Sequence, residues 1–209
     1  VYAGIETAFM YKRDSLVDIS TKRQNDFVII LNQGNPSRFP EIDKWILKSE
    51  RLGNVDIYGI WDTPKIEGDT RFKGGIDYNE VHRILRNTKT TFIIPIQPGW
   101  VTMKYLEMVY AGVIPFFHPS YDSQNHLNAP AWLRPSNPTE LAASVASVVN
   151  DPGCYVDRIT ELRELWCNQI SMTGLRLSNR LMSEAVDGFV STSSQPALPP
   201  KKQSLFDFT

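Results

Sequence analysis

The sequence predicts an α/β fold: a parallel sheet with helices on both faces. Three observations predict it. The runs Asp26-Phe27-Val28-Ile29-Ile30-Leu31-Asn32, Thr90-Thr91-Phe92-Ile93-Ile94-Pro95 and Val113-Ile114-Pro115-Phe116-Phe117 are continuously apolar rather than alternating, the pattern of strands buried on both sides. Segments of helical period separate them, and Gly, Pro and Asn clusters punctuate the junctions. Ligands of such sheets bind beyond the carboxyl ends of the strands, which points to the loops 33–39, 72–78, 96–101 and 118–126.

Residues 1–25 read as an incoming linker, and Asp26–Asn32 is the first strand. Pro40 suits an opening helical turn. Ile42, Ile46 and Leu47 follow at helical spacing, and Gly53-Asn54 ends that helix. Val55–Tyr58 is a short strand, followed by a polar loop, Asp62 to Thr70, and a helix over 79–88 with Val81, Ile84 and Leu85 inward. After the strand at Thr90–Pro95, a helix is expected over Thr102–Ala111, with Thr102 as its cap and Gly112 in the left-handed position that closes it. Ala131-Trp132-Leu133 reads as a last short strand. Asn137-Pro138-Thr139-Glu140 is a capped helix start, and two more helices fill 155–190, the first with Val156, Ile159, Leu162, Trp166 and Ile170 as its buried stripe.

At 209 residues the chain has room for one main domain, and 42% hydrophobic with 22% charged residues excludes wholesale disorder and fibrous repeats. No apolar run reaches the ~20 residues of a membrane span. Val1 opens a mixed polar segment without the features of a signal peptide, and without an initiator Met the chain is expected to be part of a longer protein. With 22 Lys+Arg against 23 Asp+Glu, the net charge of −1 provides no long-range field for nucleic acid or anionic lipid. Cys154 and Cys167 lack zinc-ligand spacing, and His82, His118 and His126 do not cluster with them. Free thiols in a reducing cytoplasm are expected.

The segment Ile94-Pro95-Ile96-Gln97-Pro98-Gly99-Trp100-Val101-Thr102-Met103-Lys104-Tyr105-Leu106-Glu107 carries the chemistry. A strand ends in a Gly/Pro loop and a helix opens, exposing unpaired amides to an anion. Lys104 adds a full positive charge. Glu107, three residues on, lies on the same helix face, where its carboxylate can accept two hydrogen bonds from a diol. Taken alone, the two read as a surface ion pair rather than a site, and it is the surrounding pattern that changes this.

The pattern K-x-x-E-x-x-x-x-G-x-I-P, formed by Lys104, Glu107, Gly112 and Pro115, resembles a signature of the Rossmann-like C-terminal, donor-binding domain of GT-B glycosyltransferases. Within that fold the likeness is to bacteriophage DNA glucosyltransferases, which modify hydroxymethylcytosine. The resemblance covers about two thirds of the chain, from Asp26 to about Ile170, and residues 26–190 are expected to form the nucleotide-sugar-binding domain. It implies that Glu107 binds the donor ribose and that Gly34, Arg38, Thr102 and Lys104 bind the donor diphosphate, with Gly75 and Ile76 against the uracil base. It implies a UDP-sugar donor, and double-stranded DNA contacted through an N-terminal domain that precedes Val1 and holds the catalytic base. No Asp-x-Asp motif is present, so no required protein-ligated metal is expected, although a divalent cation at the diphosphate is allowed. Asp122 is a candidate base, and the catalytic residue is otherwise not named. The implied location is the cytoplasm, that of the host cell for a phage protein, with no membrane partner.

Residues 191–200 read as a flexible linker. Beyond it, in 201–209, Gln203, Leu205, Phe206 and Phe208 resemble a sliding-clamp-binding peptide. A clamp tether would raise effective concentration at DNA where net charge does not. Two other readings stay open: a GT-B transferase with another acceptor, and a non-catalytic nucleotide-binding or clamp-associated module.

Overall fold

The computed structural model describes residues 16–34, 36–63 and 66–168. Residues 1–15 of the expected linker, the expected second C-terminal helix, the 191–200 linker and the 201–209 peptide lie outside the described residues. Five strands form one sheet: β1 (Asn25–Ile30), β2 (Asp56–Tyr58), β3 (Phe72–Gly74), β4 (Thr88–Ile93) and β5 (Ile114–Phe117). Their order is β3-β2-β1-β4-β5, and every adjacent pair is parallel. The chain moves outward from β1 in one direction through β2 and β3, then returns to β1's other side with β4. The crevice between the carboxyl ends of β1 and β4 is therefore the switch point at which such sheets bind ligands.

The helices are α1 (Arg38–Ile42), α2 (Tyr78–Arg86), α3 (Lys104–Tyr110), α4 (Pro138–Asn150) and α5 (Pro152–Leu162). α1 and α5 each run on into a π-helical turn, Asp43–Leu47 and Arg163–Asn168. The pleat explains why β1 is apolar throughout. Phe27, Ile29 and Leu31 join a core with Ile42, Trp45, Leu141 and Ile159, whereas Ile30 packs on the opposite face with Leu85, Met108 and Val113. Ile29, Ile57 and Ile114 are wholly buried, each worth about 1.5–3 kcal/mol of apolar burial. Gly112 closes α3 at φ +80°, as expected, and the Val113 amide reaches back to the Met108 carbonyl at 2.7 Å. Asn137 caps α4 by accepting from the Glu140 amide at 2.9 Å.

Four expectations are corrected. Ala131–Leu133 is a 3₁₀ turn rather than a strand, held between Pro130 and Pro135, which cannot donate to a ladder. α3 begins at Lys104 rather than Thr102, and the residue preceding it, Met103, makes no side-chain cap. Val156 is exposed, while Tyr155 takes the inward position on α5. β3 was legible only as part of a loop.

Candidate functional site

Arg38 opens α1 yet is only 6% exposed. Its guanidinium lies across the switch point: Nη1 donates to the Asn32 carbonyl at 2.6 Å and Nη2 to the Ile94 carbonyl at 3.0 Å. One side chain thus ties the carboxyl ends of β1 and β4, while its buried Nε has no partner among the described residues. Gly34, at φ +59°, flanks it. A Cβ at that glycine would sit 3.6 Å from Arg38 Nη1 and 3.8 Å from Ile96 Cδ1, in a backbone conformation that side-chain-bearing residues rarely adopt.

Lys104 comes to the same place from α3, its Nζ donating to the Ile30 carbonyl at 3.1 Å. Burial pushes its ammonium pKa down, the positive charge of Arg38 pushes the same way, and Glu107 opposes them. Burial alone pulls Arg38 down to about 10. Two desolvated cations within electrostatic reach, satisfied by carbonyl oxygens, are held against their mutual repulsion. An anion arriving between them would relieve both penalties. Glu107 is half-buried, and its carboxylate makes no hydrogen bond among the described residues. It is a free acceptor one helical turn from Lys104.

The structure thus brings Gly34, Arg38, Lys104 and Glu107 together. Thr102 lies beside them in a different capacity from the expected cap. Its amide donates to the Tyr121 phenol oxygen at 3.3 Å, and that phenol donates to the Thr102 carbonyl at 2.7 Å. Tyr121 is wholly buried, so the approach to α3 is clamped.

Gly75 lines a separate cleft of about 590 Å³ with Ile60, Trp61, Phe72 and Gly74. Trp61 and Phe72 meet edge to face at 5.5 Å, and Ile60 is 68% exposed above them. Ile76 follows Gly75, but it is not among the lining residues. The cleft sits at the carboxyl ends of β2 and β3, beside that of β1. It shares a wall with the cations: Asn32 Oδ1 accepts from the Ile60 amide at 2.8 Å and Gln33 Oε1 from the Asp62 amide at 2.7 Å. The rim thus carries a mostly apolar cleft, a half-buried carboxylate with no hydrogen bond among the described residues, and two desolvated cations.

Asp122, the candidate base, has a structural task. It is buried, and its two carboxylate oxygens accept from the His126 and Leu127 amides at 2.8 and 3.0 Å, so it staples the loop. A further cleft of about 460 Å³ opens at the amino end of the sheet, around Asn25, Asp26, Asn54 and Val145. No buried charged group lines it. Sequence reasoning passed over Ile60, Trp61 and Asn32, although all three fall within three residues of a strand's carboxyl end. It also left unassigned a chain of contacts through Glu41, His118 and Ser120. No group of three or more metal-ligating side chains occurs among the described residues.

No protein-family model matches the sequence, and no curated protein matches it. Solved structures do. One of T4 phage β-glucosyltransferase superposes with a TM-score of 0.71 at 13% identity, over 86% of this chain and 56% of that one. A second, in complex with UDP and Mn2+, gives 0.70 at 12% identity over 87% and 53%. The fold is that of the phage enzyme. The chain spans about half the length of the phage chains it matches. The phage protein is described as a DNA-modifying enzyme whose substrate is uridine diphosphoglucose. No described helix is long and apolar enough to cross a membrane.

Proposed function

We propose that this chain is the donor-binding part of a glycosyltransferase that moves a sugar from a UDP-sugar to hydroxymethylated cytosine in phage DNA. The observation that carries the reading is the convergence of Arg38 and Lys104 at the β1/β4 switch point, with the free Glu107 carboxylate one turn away. In this reading the diphosphate sits against Arg38, Lys104 and Gly34, near the clamped Thr102 backbone. Glu107 accepts from the ribose hydroxyls, and the base enters the Gly75–Ile60 cleft, with Ile76 at its margin. As the glycosidic bond breaks, negative charge grows on the departing diphosphate. Two cations already in place lower the cost of that charge without reorganisation. The phage enzyme's binding of UDP agrees with this assignment.

The rim offers a divalent cation one free carboxylate beside two positive side chains, which is a poor donor set for it. No step is assigned to a metal. The general base and the DNA surface are assigned to a second domain, and Gln203, Leu205, Phe206 and Phe208 to a clamp tether. Calorimetric titration of the chain with UDP-glucose tests the core of the proposal. Saturable binding that Glu107→Ala weakens at least tenfold, a loss on the scale of charge-assisted hydrogen bonds, supports it. Absence of binding by the wild-type chain would overturn it.

A further inference from the structure

α1 carries Glu41 as well as Arg38, and Glu41 meets His118, which follows β5 directly. Glu41 Oε2 lies 3.0 Å from His118 Nε2 and accepts from Trp45 Nε1 at 3.2 Å. On the other side of the ring, His118 Nδ1 lies 2.7 Å from Ser120 Oγ and 3.2 Å from the Ser120 amide nitrogen. A backbone N–H can only donate, so Nδ1 is the acceptor and Nε2 carries the proton that Glu41 receives. The Ser120 carbonyl then accepts from the Gly99 amide at 2.6 Å. Gly99 belongs to the loop that runs through the clamped Thr102 into Lys104. Trp45 and Phe92 pack edgewise on the imidazole at 5.1 and 6.0 Å.

We propose that His118 is a positioning residue of the donor site. Through Glu41 it holds the helix that bears Arg38, and through Ser120 it holds the Gly99 loop that delivers Lys104, keeping the two cations in register. The inference rests on the donor-site reading for its consequence, but the coupling of His118 to Gly99 stands independently of any ligand. Only the neutral ring can do this. Protonating Nδ1 would set an N–H against the Ser120 N–H and release the turn. The charged groups facing the ring are Glu41, which favours protonation, and Lys44, which with burial opposes it. Burial is the largest influence, and the ring is held neutral.

Two measurements on the full chain test this. In the first, NMR follows the Gly99 amide and the His118 ring from pH 8 to 5 without ligand. The two are expected to titrate together, with Gly99 becoming pH-insensitive in His118→Phe. A Gly99 signal that ignores the His118 titration overturns the proposal, whether or not the chain binds donor. In the second, UDP-glucose affinity is read against pH. Wild type is expected to weaken on acidification through the His118 titration. His118→Asn, whose amide oxygen can replace Nδ1 as acceptor, is expected to bind within about threefold of wild type at pH 7.5 and to lose the pH dependence. His118→Phe is expected to bind about tenfold more weakly, the scale of a single lost hydrogen bond. Wild-type affinity and an unchanged pH profile in His118→Phe also overturn the proposal. A wild-type chain that binds no UDP-glucose removes the donor reading and leaves the NMR result to decide the coupling.

Discussion

Buried arginines bond backbone carbonyls at both ends of this sheet, and the two ends differ in what surrounds the charge. At the amino end, Arg23 is 4% exposed and donates to the carbonyls of Leu85, Thr88 and Ala111 at 2.8–3.1 Å. Arg163 joins it on Val17, Val109 and Tyr110. Most of these carbonyls close α2 and α3, where the helix dipole is negative. The Tyr155 ring lies 5.8 Å from the Arg23 guanidinium and Asp18 adds a favourable charge, against burial, the largest influence, and the repulsion between Arg23 and Arg163. At the carboxyl rim Arg38 finds strand-end carbonyls, a lysine that repels it and the opening turn of α3, whose dipole is positive. The same side chain is a staple where helix carboxyl ends and an acid offset burial and a neighbouring cation, and a stored positive potential where the nearest helix end is a positive one. A buried arginine is therefore no guide to function until its neighbours' charges and dipoles are counted.

The comparison breaks first at Arg23. Arg23→Met keeps the apolar stem but takes a charged donor from each of three buried carbonyls, and should cost about 3 kcal/mol or more of stability in urea unfolding. UDP-glucose affinity of the folded protein should be unchanged. A variant as stable as wild type would mean that the amino-end arginines are not staples.

Lys104→Met is the converse test. The lysine is desolvated and repelled by Arg38, so its removal should leave stability unchanged or raise it by up to about 1 kcal/mol, while UDP affinity falls about 10–100-fold. Loss of stability comparable to that of Arg23→Met would place Lys104 with the staples. The pH dependence sharpens the point. The pKa of Lys104 lies below its ordinary 10.5, and the charged form is the one that binds diphosphate. Affinity should therefore decline with rising pH earlier than an ordinary lysine would dictate. Bound diphosphate restores the charged form, so in that alkaline range binding should take up protons, seen as a buffer-dependent calorimetric heat. The stability effect has the opposite sense: the penalty of the buried charge is relieved as pH rises through the lowered pKa.

How far the sequence could be read follows the same division. β1, β4 and β5 were legible because strands covered on both faces must be apolar at every position. β3 was not, because Phe72-Lys73-Gly74 is a three-residue edge strand with two exposed positions, and nothing in it alternates or repeats. Lys104 and Glu107 could be paired from their spacing, since both lie on one helix. The start of α3 could not be placed, because the hydroxyl that holds Thr102 out of the helix comes from Tyr121, nineteen residues away. Arg38 could be named, but not its burial. The link from Glu41 to His118 spans seventy-seven residues and exists only because β5 ends beside α1.

The smallest expected effect concerns the edge of the rim where charge gives way to apolar contact. A Cβ on Gly75 would meet Ile60 Cγ1 at 3.2 Å, a tight approach to a side chain that is two-thirds exposed and free to move aside. Gly75→Ala should therefore change stability by no more than about 0.5 kcal/mol. If a uracil ring occupies the slot beneath Ile60, the displaced side chain and the added methyl both intrude on it. UDP affinity should then fall by about three- to tenfold, the scale of one imperfect apolar contact, whereas inorganic diphosphate, which needs only the cations, should bind as before. Equal losses for UDP and diphosphate would put the base elsewhere and confine the working rim to Arg38, Lys104 and Glu107.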